Sequence, residues 1–158
     1  MDTQNPYSPP EVNVDKTPEE SFRYVGFWSR TVAVIVDSLL MMVILVPLLM
    51  AIYGEEFFYS DTMIQGPAHF FLSYIMPAIA VILFWIYKSA TPGKMVISAK
   101  IVDASTGNPP SKQQLIIRYL GYYLSTIPLM LGFIWAAFDA RKQGWHDKVA
   151  NTVVVRGK

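Results

Sequence analysis

The sequence predicts an all-α integral membrane protein with two full transmembrane helices and a broken or re-entrant third helical segment. That makes three to four helical segments, joined to a small cytoplasmic β-element. Three observations carry this. Arg30 to Tyr53, RTVAVIVDSLLMMVILVPLLMAIY, is a long apolar run with Arg30 at its start and Asp37 inside it. As a helix it rises about 36 Å at about 1.5 Å per residue, enough to cross a hydrocarbon core about 30 Å thick. Phe70 to Tyr87, FFLSYIMPAIAVILFWIY, is long enough to return. Third, the chain ends in a β-branched run, Thr152 to Val155, which calls for a partner strand.

Composition agrees. Of 158 residues, 53% are hydrophobic and only 16% charged, more apolar than an ordinary small soluble domain. The net charge of +1 and the dispersed basic residues give no nucleic-acid footprint. With no cysteine there is no disulfide framework, thiolate metal site or cysteine nucleophile. The eight methionines read as core and lipid-facing filler.

Residues 1–20 hold four prolines among Asp, Glu, Asn and Ser and have little to bury, so they are expected to form a disordered tail ahead of a membrane domain at 21–158. They lack the pattern of a removable signal peptide. Phe22, Tyr24, Phe27 and Trp28, interleaved with Arg23 and Arg30, form an interfacial collar. Asp37 follows Arg30 by about two turns and lies on nearly the same face, about 10 Å deeper. An aspartate at mid-helix costs about 2.5 to 3.5 kcal/mol on insertion scales, which the surrounding Leu, Ile and Val outweigh, so the stripe must face protein, water or a partner subunit. Pro47 is expected to kink the far half of this span.

Gly54 to His69 carries Glu55, Glu56 and Asp61 without Lys or Arg, whereas basic residues flank both spans on the other side. The positive-inside rule therefore places this loop outside and the N-terminus in the cytoplasm. After the second span, Thr91, Pro92, Gly93 and Lys94 make a turn, Met95 to Asp103 reads as a strand, and Thr106 to Pro110 closes it. Gly93-Lys94 lacks the spacing of a phosphate-binding loop. Gln113 to Phe138 is long enough for one span but is interrupted by Pro128 and Gly132. A single span would put the basic end, Arg141, Lys142, Lys148, Arg156 and Lys158, outside. Two half-helices, Leu115 to Thr126 and Leu129 to Asp139, returning to the starting face keep it inside, and so does pairing of the terminal run with the strand near Met95 to Val102. A single kinked span is the other reading.

These residues together resemble the RDD family of small membrane proteins, named for one arginine and two aspartates. Arg30 and Asp37 stand where the family has its arginine and first aspartate. Thr91-Pro92-Gly93-Lys94 and Ile101-Val102-Asp103 with Gly107 resemble its central turn and strand. Asp139 with Gly144-Trp145-His146-Asp147 and Thr152-Val153-Val154 looks like its closing signature. Either Asp139 or Asp147 can be the second aspartate of the name. Ser98 departs from the glycine of many relatives. The resemblance implies a membrane location, a bacterial plasma membrane, and suggests transport.

The candidate residues fall into two groups. Arg30, Asp37 and Asp139 are expected to form a polar intramembrane site, with Asp139 as the ion partner of Arg30 and Asp37 bonded to Tyr122, Ser125 or Thr126. Thr91, Pro92, Gly93, Lys94, His146 and Asp147 form an interface signature. His69 and His146 lie on opposite sides, so no metal site is expected within one subunit. The serines lack a histidine and acid at nucleophile spacing, so neither catalysis nor a cofactor is expected. Two functions fit: a polar pathway for an ion, proton or small solute, or a non-transporting scaffold whose charges fix helix packing or bind a larger membrane complex. Few charges and few helices make a thin wall for a pore, so the expected partners are the lipid bilayer and either further copies of the chain or another membrane protein.

Overall fold

The computed structural model describes residues 22–157, and the tail expected at 1–20 lies outside them. The first long helix, α1, is Phe27–Tyr53 and starts one turn before Arg30. Pro47 lies within it without ending it. Only Ala33 and Leu49 of this helix are buried, so its Val, Ile, Leu and Met side chains stand exposed on the isolated chain. A helix apolar all round needs lipid or another protein against it.

A short turn of helix, α2 (Glu56–Tyr59), begins the acidic loop. Gln65 donates its side-chain amide to the carbonyls of Glu56 and Phe57, and the Tyr53 hydroxyl accepts from the His69 amide. These bonds tie the loop to both helices it connects. The second long helix runs Pro67–Lys88. Its parts are α3 (Pro67–Phe70), a π-helical turn (Phe71–Ile75) and α4 (Met76–Lys88). The wide turn falls immediately before Pro77, where the missing amide would otherwise leave a gap in the ladder. Ser89, left-handed at φ 52°, ends α4.

The strand expected from Met95 is shorter than its sequence pattern. Pro92–Val96 is a helical turn, α5, with extended Thr91 before it and proline in its first turn, where the missing amide is no loss. The backbone reverses at Ser98, φ 55°, and β1 is Ala99–Asp103. β1 pairs antiparallel with β2, Thr152–Arg156, in the register Ile101 to Val154. The expected pairing is thus present, and it has an addition: Tyr24 bridges Val155, and the Val25 amide donates to the Val154 carbonyl at 2.9 Å. Phe22 and Tyr24, assigned to an interfacial collar, pack on this sheet with Val153 and Val155.

Between the strands lies the broken segment. α6, Lys112–Thr126, opens with a reciprocal cap in which Ser111 and Gln114 each accept the other's backbone amide. Leu129 and Met130 are both left-handed, at φ 52° and 61°, after Pro128. The chain resumes as α7, Leu131–Ile134, and a 3-10 turn, Trp135–Ala137. The two pieces meet at 113°, a break that fits either the hairpin or a single broken span, and the second arm is shorter than Leu129 to Asp139. Gly132 permits it, since a Cβ there would lie 2.5 Å from Ser125 Cα. Finally α8, Trp145–Val149, tucks against α6, with Gly121 facing His146 so closely that a Cβ would lie 2.8 Å from its Cα. The core (Val25, Trp85, Ala99, Ile101, Leu115 and Val154) gathers where the helix ends meet the sheet.

Candidate functional site: a carboxylate between two guanidinium groups

Asp147 is the centre. Its position on α8, one residue after the His146–Gly121 contact, carries it beneath α6, where its side chain has no exposure. One oxygen pairs with the guanidinium of Arg30 and the other with that of Arg118. Arg30 is anchored by its Nε–H to the Val25 carbonyl at 3.0 Å, and Arg118 donates to Thr152 Oγ1 at 2.6 Å. The Gly144 amide adds a third donor to Asp147 at 3.0 Å. Burial acts to raise the pKa of this carboxyl, but Arg118 and Arg30 outweigh it and hold Asp147 well below the usual carboxylate range. The clamp joins α1, α6 and α8 to the sheet.

Arg30 therefore pairs with Asp147, and the expected partnership with Asp139 is overturned. The expectation placed Asp139 at the depth of Arg30 because it ended a returning half-helix. In the fold it leaves that helix and closes the turn that follows, accepting the amides of Arg141 and Gln143 at 3.1 Å each and pairing with Lys148. Burial opposes the shift, but Lys148 and these amides hold its pKa low. A carboxylate so provided for locally has no need of Arg30.

Asp37 also has other partners than expected. It accepts from Thr91 Oγ1 at 2.6 Å and from the Gly93 amide at 2.7 Å, not from Tyr122, Ser125 or Thr126. Those residues face elsewhere: Ser125 and Thr126 bond back to α6 carbonyls, and Tyr122 packs on Trp85 and His146. Gly93 makes the Asp37 contact possible because a Cβ there would collide with the Ala33 carbonyl and lie 2.9 Å from Asp37 Cγ. Thr91, Pro92 and Gly93 thus dock α5 on α1, and Lys94 follows into the interior. There its ammonium lies 5.7 Å from the centre of the Trp85 ring, opposite no carboxylate within ion-pair distance among the described residues. Burial pushes the Lys94 pKa down.

His146 completes the group. Its ring packs on Tyr122 and Phe133, centroids 4.6 and 4.9 Å away, with Nδ1 3.2 Å from Ser125 Oγ. Burial lowers its pKa to about 3, against the opposing pull of Asp147, so the folded protein holds it neutral. Below pH about 6.5 the unfolded chain takes up a proton that the folded chain refuses, so stability falls as pH drops toward 3. Replacing His146 by Gln is expected to flatten melting temperature against pH between about 6.5 and 4, where one proton is worth about 1.4 kcal/mol per pH unit. His69 is common to both proteins and cancels; an unchanged slope would place the acid sensitivity elsewhere. Among the described residues no three His, Cys, Asp or Glu side chains converge to hold a metal.

Sequence reasoning missed Arg118, counting it only as one basic residue among several. A signal existed: Leu115, Arg118, Gly121 and Ser125 lie on one helical stripe. An arginine between a leucine and two small residues marks a buried charge with another backbone close by.

A buried Arg–Asp–Arg clamp at the ends of helices apolar enough to cross a bilayer defines a small membrane protein held together by internal charge. The RDD family pattern matches residues 24–151, and the chain belongs to the RDD family. It is similar to the uncharacterised membrane protein YteJ of Bacillus subtilis, 29% identical over 96% of this chain and 95% of that one. An uncharacterised protein of Rickettsia prowazekii, RP437, is 44% identical over 48% of this chain and 41% of its own length. The proline-rich antigen homologue of Mycobacterium tuberculosis is 33% identical over 40% of this chain and 26% of its own. The chain thus aligns with less than half the length of the last two. No solved structure matches.

Proposed function

We propose that this protein passes an ion, proton or small solute across the membrane, using Asp37 as the exchangeable group and Asp147 as a fixed structural charge. The contrast between the two aspartates carries the reading. Asp147 is sealed between two guanidinium groups, so removing its charge would disrupt the fold. Asp37 is only half-buried and held by two neutral donors, a hydroxyl and an amide. A carboxylate on a membrane helix with neutral partners can take a proton or a cation without stranding a buried charge. One chain has too few helices to wall a pathway, and the exposed apolar face of α1 suits contact with further copies or another membrane protein as well as lipid.

The topology that goes with this reading has α1 and Pro67–Lys88 as two spans and the 113° hairpin as a re-entrant third segment. Both termini and the sheet then face the cytoplasm of a bacterial plasma membrane, as the distribution of Lys and Arg favours. Catalysis has no part in it.

The test is flux in proteoliposomes. An imposed proton or sodium gradient should dissipate with the native protein and persist with Asp37→Asn. Equal leak from both, or none above empty vesicles, would sink transport. Single cysteines at Glu56 and Ser105 should label from opposite sides with an impermeant reagent, and a C-terminal reporter active only in the periplasm would refute the hairpin. The scaffold reading is favoured by the clamp itself, whose carboxylate is paired within one chain, and it predicts no flux but retention in a larger membrane complex.

A further inference from the structure

We propose that Lys94, Arg118 and Trp85 form a binding site for a phosphate group, the headgroup of an anionic lipid or free phosphate, at the end of α4 where α5 and α6 each bring a cation to the Trp85 ring. The first observation is a charge excess. Among the described residues around Trp85, Lys94 and Arg118 are buried cations, and Asp147 is the one buried carboxylate, shared by Arg118 and Arg30. Both guanidinium groups are committed to Asp147, and Asp37 is bonded to Thr91 and Gly93. That leaves the ammonium of Lys94 opposite no carboxylate within ion-pair distance among the described residues. A buried positive charge without a counter-charge is costly, and proteins tolerate it where something supplies the missing anion.

The second observation is independent of charge. Among the described residues three buried side-chain donors have no acceptor: Trp85 Nε1 and Arg118 Nε, which are neighbours, and Arg30 Nη2 on α1. Trp85 and Arg118 are each about 1% exposed. They are also close together, since Lys94 Nζ lies 5.7 Å and Arg118 Cζ 5.5 Å from the centre of the Trp85 ring. Tyr122 packs edge-on against that ring at 5.6 Å. Buried donors without acceptors are rare in native proteins and call for an explanation such as an ion or a water. One ligand with several acceptor oxygens and a negative charge answers both observations, and a phosphate group has both properties. Neutral water would satisfy the donors and leave the charge. The ring gives the site a flat apolar wall, and its place at the helix ends sets it at headgroup depth. Lys94 directly follows Gly93, whose amide holds Asp37, so the site adjoins the proposed pathway, and flux and phosphate binding are read separately.

The experiment uses the full chain stripped of lipid in a neutral detergent and follows its melting temperature. Inorganic phosphate, or phosphatidylglycerol added as mixed micelles, should raise it saturably, while phosphatidylcholine should not. A response to phosphatidylglycerol alone identifies a lipid headgroup, and a response to inorganic phosphate identifies a free anion. Either supports the shared chemistry. Lys94→Met should melt higher than the native chain without ligand, because it removes the unmatched charge, and should bind about tenfold or more weakly. Trp85→Phe keeps the ring, loses Nε1–H and should weaken binding by a smaller factor. No response to either probe, or the same response in Lys94→Met as in the native chain, overturns the site and leaves water or a neutral lysine in its place.

Discussion

Asp147→Leu is expected to be the most damaging single substitution in this chain. It strands two guanidinium groups in the interior, where breaking a buried pair by removing one member costs about 3 to 5 kcal/mol. Total stabilities of about 5 to 15 kcal/mol leave little after that, so the variant should melt far below the native protein or fail to purify as a single species. The companion experiment removes all three charges, as Arg30→Met, Arg118→Leu and Asp147→Leu together. That variant should recover much of the loss, because replacing a buried ion group by apolar side chains can be close to neutral. A triple mutant whose loss equals the sum of the three singles would show that the charges do not act on one another. Asp139→Leu supplies the contrast. Its ion partner Lys148 is 44% exposed, so the pair itself contributes at most about 1 kcal/mol, and the change should be the milder one by a wide margin.

The second large effect is expected at Gly93. Alanine adds one methyl group, but that methyl would occupy the space of the Ala33 carbonyl, which belongs to the backbone of α1 and cannot turn aside. α5 must then lift off α1. Overpacking of this kind typically costs about 1 to 3 kcal/mol, and here it also breaks both hydrogen bonds to Asp37. Gly93→Ala should therefore lower the melting temperature and, in the vesicle assay, change flux even though the aspartate is still present. Gly26→Ala is the control, because nothing lies within 4 Å of a Cβ at that position. Equal effects of the two changes would mean that the close approach at Ala33 does not matter.

How much of this could be read in advance depended on whether a residue's partner was local or distant. The two long helices and the terminal strand are written in runs of side chains with one property. They were legible, as was the break at Pro128, because proline fixes its own backbone angle and removes a donor wherever it stands. The N-terminal half of the expected strand failed for the same local reason, since Pro92 starts a helical turn as readily as it ends one. The site was legible in part of its membership and not in pairing, since Asp139 stood where Asp147 belongs and Asp147 was read into the interface signature. Arg30, Asp37, Gly93 and Asp147 were all singled out, but depth along a helix gave the wrong mate for Arg30. Depth takes no account of Asp139 satisfying itself on the amides of Arg141 and Gln143. Nor does it register that Gly121 lets α8 approach α6 and deliver Asp147. Arg118 was hidden because a lone arginine in a mixed helix looks like any surface charge until the small residues on its stripe are noticed.

The clamp also constrains how this protein is made. Arg30 and Asp147 are separated by 117 positions in the chain, and at roughly 5 to 20 residues per second a ribosome needs roughly 6 to 23 s to go from one to the other. Throughout that interval α1 has emerged with its arginine unmatched, and the segment Tyr24–Val25 has no β2 to lie against. The first helix must therefore be stabilised by lipid or by a chaperone of insertion until Asp147 and β2 arrive. A chain truncated just before Asp147 would carry both long helices and the hairpin without the clamp or β2, which makes residues 147–156 the stretch at which quality control can distinguish a closed fold from an open one.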